Sequence, residues 1–158
     1  MGMQYDVKSQ HRSTSGVIYG SRTRLKGAIL SANAAAAARN VLFMDNNPQA
    51  GTYSIASTTL TVTVANSLVA GDRVFLDFTS GSAVDGAYTV LTANATSFTV
   101  TTAASGTGNV TAYLNTLLEA DSYNAVAYSI LVPGEGILAD NGIYVGLPAN
   151  ITVTAFYG

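Results

Sequence analysis

The chain has 158 residues, of which 48% are hydrophobic and only 10% charged, and its formal net charge at pH 7 is −2. With no cysteine and a single histidine, His11, the composition excludes disulfides, thiolate metal sites and Cys–His catalysis, and we expect no cofactor. No apolar run approaches the roughly 18 residues of a membrane span, and residues 1–6 lack the pattern of a secretory signal, so synthesis in the cytoplasm and no membrane partner are expected.

Charge is unevenly distributed along the chain. Residues 1–39 carry six Lys or Arg against Asp6, a net charge of +5, whereas residues 40–158 carry Arg73 against eight acids, a net charge of −7. This split favours contact between subunits, because complementary charges steer association; a solvated basic turn is the alternative. Nucleic-acid binding is not expected, because the cations lack a helix, a phosphate loop or interleaved aromatics and the pI is acidic.

The N-terminal region predicts a polar arm and then two strands. Residues 1–15 are polar and are expected to order only on contact. Apolar and polar residues then alternate, which predicts strands at 17–19 and 25–30. Because a strand has a period of two, three cations of this region are expected on one face: Arg22, Arg24 and Lys26.

The next segment contains the strongest helix-forming sequence of the chain. Residues 33–40 are rich in alanine and are flanked by Asn33 and Asn40, which predicts a short capped helix. Residues 41–44 are apolar and predict a strand. Residues 45–51 have the composition of a loop.

The middle of the chain, residues 53–113, is Thr-rich and alternating. It contains five β-rich runs, at 59–64, 72–78, 86–91, 97–101 and 109–113. Each run is bounded by Gly, Asn, Asp or Ser, and the spacing of about ten residues is typical of a small antiparallel barrel or sandwich.

The C-terminal region predicts further antiparallel strands. Residues 114–118 predict a strand followed by a turn at 119–121, and residues 124–132 predict a strand that Pro133 ends. Gly134 and Gly136 predict a tight turn around Glu135. The pair Asn141–Gly142 favours a type I′ hairpin turn. The last strand is expected at 151–157, so that the end of the chain lies in a sheet.

These elements predict an all-β protein. Residues 16–52 and 114–158 would form an outer antiparallel jelly-roll or β-sandwich domain, and residues 53–113 an inserted small antiparallel β-barrel or sandwich. Insertion of this kind is tolerated where the two ends of the insert lie close together in the outer domain.

The sequence offers weak candidates for catalysis or metal binding. The acid pairs Asp72 with Asp77 and Asp121 with Glu135 could serve a glycosidase only if they faced each other across a cleft, and we expect no enzyme activity. Oxygen ligands for Ca²⁺ could come from two clusters, Asp45-Asn46-Asn47 and Asp140-Asn141, but both also have ordinary turn chemistry, and no metal site is expected. His11 is expected to be solvent-exposed.

The better candidate is an interface. Glu135 is the lone charge in its turn, and its carboxylate could pair with Arg22, Arg24 or Lys26 of the same or a neighbouring subunit. Tyr157, one residue from the end of the given sequence, is expected to contact a neighbouring subunit, whereas most other aromatics are expected in the core.

Two stretches carry a resemblance to a known group of proteins. Residues 16–27 (GVIYGSRTRLKG) and the C-terminal PGEGIL and FYG motifs resemble small virion structural proteins of tailed bacteriophages, many of them marine or cyanobacterial phages. The resemblance covers about half of the chain. Within the insert, AGDRV at 70–74 and SGSAVDGAYTV at 80–90 resemble a β-module that recurs in phage tail and fibre proteins.

The resemblance implies a non-enzymatic virion protein that decorates and cements the capsid as a homo-oligomer, with a trimer favoured. Its partners would be the major capsid protein or other virion proteins, and its location the capsid surface. The alternative is a tail, neck or fibre component whose insert serves assembly or binds host-surface glycans. Glycan binding would require exposed aromatics on the insert, such as Phe75, Phe78 or Tyr88.

Overall fold

The computed structural model describes residues 7–32, 40–122 and 126–158, and these contain strands and no helix. The prediction of an all-β protein is confirmed. The strands are β1 (Lys8–Arg12), β2 (Gly16–Tyr19), β3 (Thr23–Ala32), β4 (Asn40–Asp45), β5 (Gln49–Ala56), β6 (Thr59–Thr63), β7 (Arg73–Phe78), β8 (Gly86–Thr89), β9 (Thr92–Asn94), β10 (Ser97–Thr101), β11 (Gly106–Tyr113), β12 (Thr116–Asp121), β13 (Tyr128–Leu131), β14 (Ile137–Ala139), β15 (Ile143–Gly146) and β16 (Ile151–Tyr157).

The chain divides into two compact units. Unit 1 consists of Met1–Asn46 and Leu117–Gly158, and unit 2 of Asn47–Thr116. Unit 2 begins earlier than residue 53, where the sequence placed the start of the insert, because β5 pairs with β6 and β11 and so belongs to the sheet of unit 2.

Unit 1 is a β-sandwich of two antiparallel sheets. One sheet has the order β1-β16-β3-β13, with β14 also paired to β3, and the other has the order β12-β4-β15-β2. Both sheets contribute to one core, as Leu30 and Val153 of the first sheet and Phe43 and Val145 of the second illustrate. The pairing of β3 with β16 in one sheet and of β4 with β15 in the other is nested, as in a jelly roll.

Unit 2 is a single seven-stranded sheet that curls around its own core. The strand order is β8-β7-β11-β5-β6-β10-β9. Alternate residues point inwards, as shown by Leu60 and Val62 of β6 and by Phe98 and Val100 of β10, all at most 1% exposed. A sheet that buries one face without a second sheet has to curl, because that face would otherwise meet water. The five predicted strands of this region are present, together with β5 and β9, which the sequence prediction lacked.

The N-terminal segment differs from its prediction as an arm. Lys8–Arg12 form β1, which pairs antiparallel with β16 from Lys8 opposite Tyr157 to Arg12 opposite Val153. An edge strand presents a row of unpaired N–H and C=O groups, and β1 satisfies those of β16. His11 within β1 is exposed, as predicted, and its ring nitrogen lies 3.1 Å from the Thr154 hydroxyl.

Strand β3 contains a β-bulge at Lys26. Gly27 lies opposite Phe156 and Leu25 lies opposite Tyr157, so Lys26 has no partner on β16. Leu25 and Ala28 are consequently both buried in the core, although three residues apart. The bulge shifts the period of two for the residues that follow Lys26, whereas Arg24 and Lys26 still alternate with the buried Leu25.

Three further predictions about local structure were wrong. The predicted loop at 45–51 is shorter, since β5 begins at Gln49, and the predicted turn at 119–121 lies within β12. Asn141–Gly142 is not a type I′ hairpin turn: of the pair only Gly142 has a positive φ, and β14 and β15 lie in different sheets.

The strand predicted at 124–132 is observed as β13, with residues 123–125 outside the described part. The predicted helix falls on residues 33–39, which also lie outside it.

Candidate functional site

A groove of about 830 Å³ lies in unit 1. It is lined by Val7, Lys8, Tyr19, Arg22, Thr23, Arg24, Lys26, Gly134, Glu135, Leu138, Tyr157 and Gly158. The lining therefore combines several basic side chains with an aromatic and aliphatic surface. We name it the basic groove.

One wall of the basic groove is the turn at 133–136 held against β3. Gly134 and Gly136 have φ values of 65° and 82°, the left-handed region that favours glycine. A Cβ on Gly136 would lie 2.5 Å from the Leu25 carbonyl oxygen. Only glycine therefore lets the turn approach β3 this closely.

Two cations of β3 bind the same turn through its backbone. Lys26 Nζ donates a hydrogen bond of 2.8 Å to the carbonyl of Glu135, and Arg24 Nη1 donates one of 3.2 Å to the carbonyl of Gly136. The predicted partner was the Glu135 carboxylate, whereas the observed acceptors are neutral carbonyls. These hydrogen bonds fix the side chains without neutralising their charge.

Arg22 forms an ion pair with Asp140, whereas the sequence analysis suggested Glu135 as its partner. Its Nε lies 3.3 Å from Asp140 Oδ1, and both side chains are about 70% exposed. An exposed pair of this kind contributes about 1 kcal/mol or less, because water screens it. Arg22 is thus easily redirected to another anion.

The apolar part of the groove is an aromatic pair. The rings of Tyr19 and Tyr157 stack with centroids 5.0 Å apart and an interplanar angle of 27°. Tyr157 is only 8% exposed and belongs to the core of unit 1, and it also lines the groove, so the contact with a neighbouring subunit stays a prediction. The more accessible ring of the pair is that of Tyr19.

All five residues proposed from the sequence as interface residues line this one groove: Arg22, Arg24, Lys26, Glu135 and Tyr157. Sequence reasoning missed Lys8, Tyr19 and Leu138. Lys8 reaches the groove only because β1 pairs with β16, and the polar sequence of residues 1–15 gave no sign of that pairing. A groove with this lining can bind an anionic group that also carries an apolar side chain.

The acid pairs considered for catalysis have structural roles or are dispersed. Asp72 Oδ2 accepts a hydrogen bond from the Val69 amide and so closes a turn. The acidic neighbour whose charge affects Asp77 is Asp85, whereas the sequence analysis considered Asp72. Partial burial and, secondly, the Asp85 carboxylate raise the pKa of Asp77. Asp121 and Glu135 are both exposed.

The residues considered for Ca²⁺ also serve the fold. Asp45 is 4% exposed, and its Oδ1 and Oδ2 accept hydrogen bonds from the amide and the side-chain Nδ2 of Asn141, at 2.9 and 2.6 Å. Each oxygen of the Asp45 carboxylate thus accepts a hydrogen bond within the protein. Among the described residues, no group of three or more His, Asp or Glu side chains could hold a metal ion.

The aromatics of unit 2 are mostly withdrawn from the surface. Phe75 is 3% exposed, while Phe78 is half-buried and lies edge-on to Tyr53 and Tyr88, with centroids 4.8 and 6.2 Å away. Burial, and to a smaller extent Asp85, raise the pKa of Tyr88, and a hydrogen bond with Thr102 opposes the rise. Tyr88 and Val84 line a second cavity of about 520 Å³, with Ser82 and residues 101–104.

A search of the described residues for helices long and apolar enough to cross a membrane finds none. Comparisons with protein-family models, with curated proteins and with solved structures found no match to this chain.

Proposed function

We propose that this chain is a non-enzymatic structural subunit of a tailed-phage virion, attached to the capsid surface as a decoration or cement protein. The observation that supports the proposal most is the convergence of Arg22, Arg24, Lys26, Glu135 and Tyr157 in one basic groove. The motifs that contain these residues are the ones that resemble phage virion proteins.

The physical basis of such a role is the summation of many modest contacts. Exposed ion pairs contribute little individually, but a subunit held at several points, or repeated many times on a particle, gains strongly from effective concentration. A trimer or another cyclic oligomer that bridges neighbouring capsomers would in this way resist the pressure of packaged DNA. The subunit would be made in the bacterial cytoplasm and would then bind to the virion.

A second candidate function is that of a tail, neck or fibre component. It is favoured by the cavity on unit 2 that Val84 and Tyr88 line, because Val84 is 70% exposed and Tyr88 offers part of its ring. Exposed apolar and aromatic surface on a module is suited to assembly or to stacking on a glycan.

Immunogold labelling of intact virions of the phage that encodes this chain distinguishes the two. Label over the whole head supports decoration of the capsid, and label confined to the tail supports the second candidate. Intact particles on which mass spectrometry detects the chain, but which bind the antibody only after they are opened, would contradict an exposed role.

A variant of the groove tests the attachment itself. Arg24→Gln with Lys26→Gln removes two positive charges from the basic groove, and we expect it to be lost from purified particles. Arg73→Gln removes one positive charge from unit 2, outside the groove, and serves as the control, which should remain on the particle.

A further inference from the structure

The composition of the basic groove defines the ligand that it can take. Lys8, Arg22, Arg24 and Lys26 line it together with one acidic side chain, Glu135, and Asp140 pairs with Arg22 beside it. Because the hydrogen bonds of Arg24 and Lys26 end on neutral carbonyls, the groove keeps an excess of positive charge. The Tyr19 ring and Leu138 add an apolar surface beside these charges. The complementary ligand is an acidic segment with an exposed apolar side chain.

Unit 2 presents such a segment at residues 77–85, from Asp77 near the end of β7 through the loop to Asp85. Val84 is 70% exposed, one of the most exposed large apolar side chains among the described residues. Asp85 follows it, is exposed, and is close enough to Asp77 for its charge to raise the Asp77 pKa. The two carboxylates repel each other, so a nearby cation would lower the free energy of both.

This segment, which we name the acidic loop, is held in a defined shape. The Tyr53 hydroxyl donates to the carbonyl of Ser80 at 3.0 Å, and the amide of Asn109 donates to the Ser80 hydroxyl at 2.8 Å. Asp85 Oδ1 accepts from the amide of Phe78 at 2.7 Å. A loop fixed in advance loses little conformational entropy on binding.

We propose that the basic groove of one copy binds the acidic loop of a second copy, so that the chain associates head to tail. Val84 contacts the surface formed by Tyr19 and Leu138, and Asp77 and Asp85 face the cations of the groove. The inference deepens the proposed function, since it rests on the groove being an assembly surface and names its partner. A contact between two different surfaces closes into a ring, such as the expected trimer, or continues as a chain.

The test is a pair of variants of the full chain, each with one surface removed. The groove variant carries Arg24→Gln and Lys26→Gln, and the loop variant carries Asp77→Asn, Val84→Ser and Asp85→Asn. In the loop variant the side-chain oxygen of Asn at position 85 still accepts the hydrogen bond from Phe78. Masses are measured by sedimentation velocity over a range of concentrations at low salt, with unfolding midpoints as a check of folding.

We expect wild type to form oligomers, and each variant alone to be monomeric because its dissociation constant rises at least about tenfold. The mixture of the two variants is the decisive sample. One intact groove and one intact loop remain in it, so it should give a heterodimer and nothing larger. Raising the salt to about 0.5 M should weaken both the wild-type oligomer and the heterodimer, because the Debye length falls to a few ångströms.

Three results would overturn the inference: wild type that is monomeric at every concentration, a variant that still self-associates as wild type does, or a mixture that stays monomeric. Arg73→Gln removes one positive charge from unit 2, outside both surfaces, and this control should self-associate normally. If the groove variant does not fold, Lys8→Gln replaces it, since no hydrogen bond of the Lys8 side chain is needed for the turn at 133–136. Absence of the chain from virions would contradict the proposed function and leave these masses unchanged, so the two failures are distinguishable.

Discussion

Gly136 shows how a single residue shapes the basic groove. Its φ is 82°, and a Cβ at this position would lie 2.5 Å from the Leu25 carbonyl oxygen. Gly136→Ala is therefore expected to lose stability in two ways, through backbone strain and through a steric clash. Gly134→Ala is the matched control, because Gly134 has a φ of 65° but nothing within 4 Å of a built Cβ.

We expect Gly134→Ala to lower the free energy of unfolding by about 1 kcal/mol, as for a strained backbone alone, and Gly136→Ala to lower it by about 2 to 4 kcal/mol. Urea unfolding measures both variants. Equal losses would contradict the close approach of the turn to β3.

Asp77 predicts a pH dependence of stability. Its pKa is raised by partial burial and, secondly, by Asp85, so the folded state disfavours the ionised form more than the unfolded state does. This penalty is present at neutral pH, declines as the pH falls through the raised pKa, and is absent below the unfolded value of about 3.9.

Asp77→Asn should therefore raise the urea midpoint at pH 7, with a gain over wild type that disappears by about pH 3. The measurement is urea unfolding of both proteins across this range. Asp121→Asn, which removes an exposed carboxylate from unit 1, controls for the change in net charge. A gain that grows as the pH falls would have the wrong sign for this explanation.

At the scale of elements, Asp45 joins the end of β4 to the turn between β14 and β15. Its buried carboxylate accepts both hydrogen bonds from Asn141, and the carbonyl of Gly142 accepts from the amide of Asn46 at 2.9 Å. Asp45→Ala leaves the Asn141 amide without its acceptor and should cost about 2 to 4 kcal/mol.

Asn141→Ala is the comparison, because it removes the side-chain donor and keeps the backbone hydrogen bond. We expect a loss of about 1 kcal/mol in the free energy of unfolding, from the same denaturation experiment. A loss as large as that of Asp45→Ala would mean that the side-chain contact, and not the backbone contact, holds the turn.

The elements differed in how far the sequence could predict them. Strands β6 and β10 alternate apolar and polar residues between turn-forming residues, and a local pattern of that kind identified them. Strand β1 has no such pattern, and it is a strand because the edge of β16 is available to it. Two other features also depend on pairing with distant strands: the bulge at Lys26 and the passage of the chain at Asn141–Gly142 from one sheet to the other. A short stretch of sequence carries no information about such pairing.

The same distinction applies to the basic groove. The charge bias of residues 1–39 and the isolated Glu135 drew attention to four side chains that line the groove: Arg22, Arg24, Lys26 and Glu135. The actual acceptors of Arg24 and Lys26 are set by the pairing of β14 with Leu25 and its neighbours, which brings backbone carbonyls within reach. The sequence pattern identified the cationic residues, whereas the carbonyl oxygens that accept their hydrogen bonds follow from the register of β14 on β3.

At the scale of the whole molecule, the residues that the structure describes form two hydrophobic cores, one in each unit. One lies between the two sheets of unit 1 and contains Phe43, and the other lies inside the curled sheet of unit 2 and contains Phe98. Phe43 is 0% and Phe98 1% exposed. Each core is enclosed by strands of its own unit, so each unit has the contacts that cooperative unfolding requires.

This arrangement predicts that damage to one core stays local. Phe98→Ala should lower the stability of unit 2 by about 3 to 5 kcal/mol through the lost transfer free energy and the cavity left behind. Native-state hydrogen exchange followed by mass spectrometry should then show faster exchange of amides in β6, β7 and β10, while amides in β3 and β16 keep their protection. Phe43→Ala is the reciprocal variant and should give the opposite pattern. If either substitution accelerated exchange equally in both units, the chain would unfold as one cooperative body, and its two cores would not be independent units of stability.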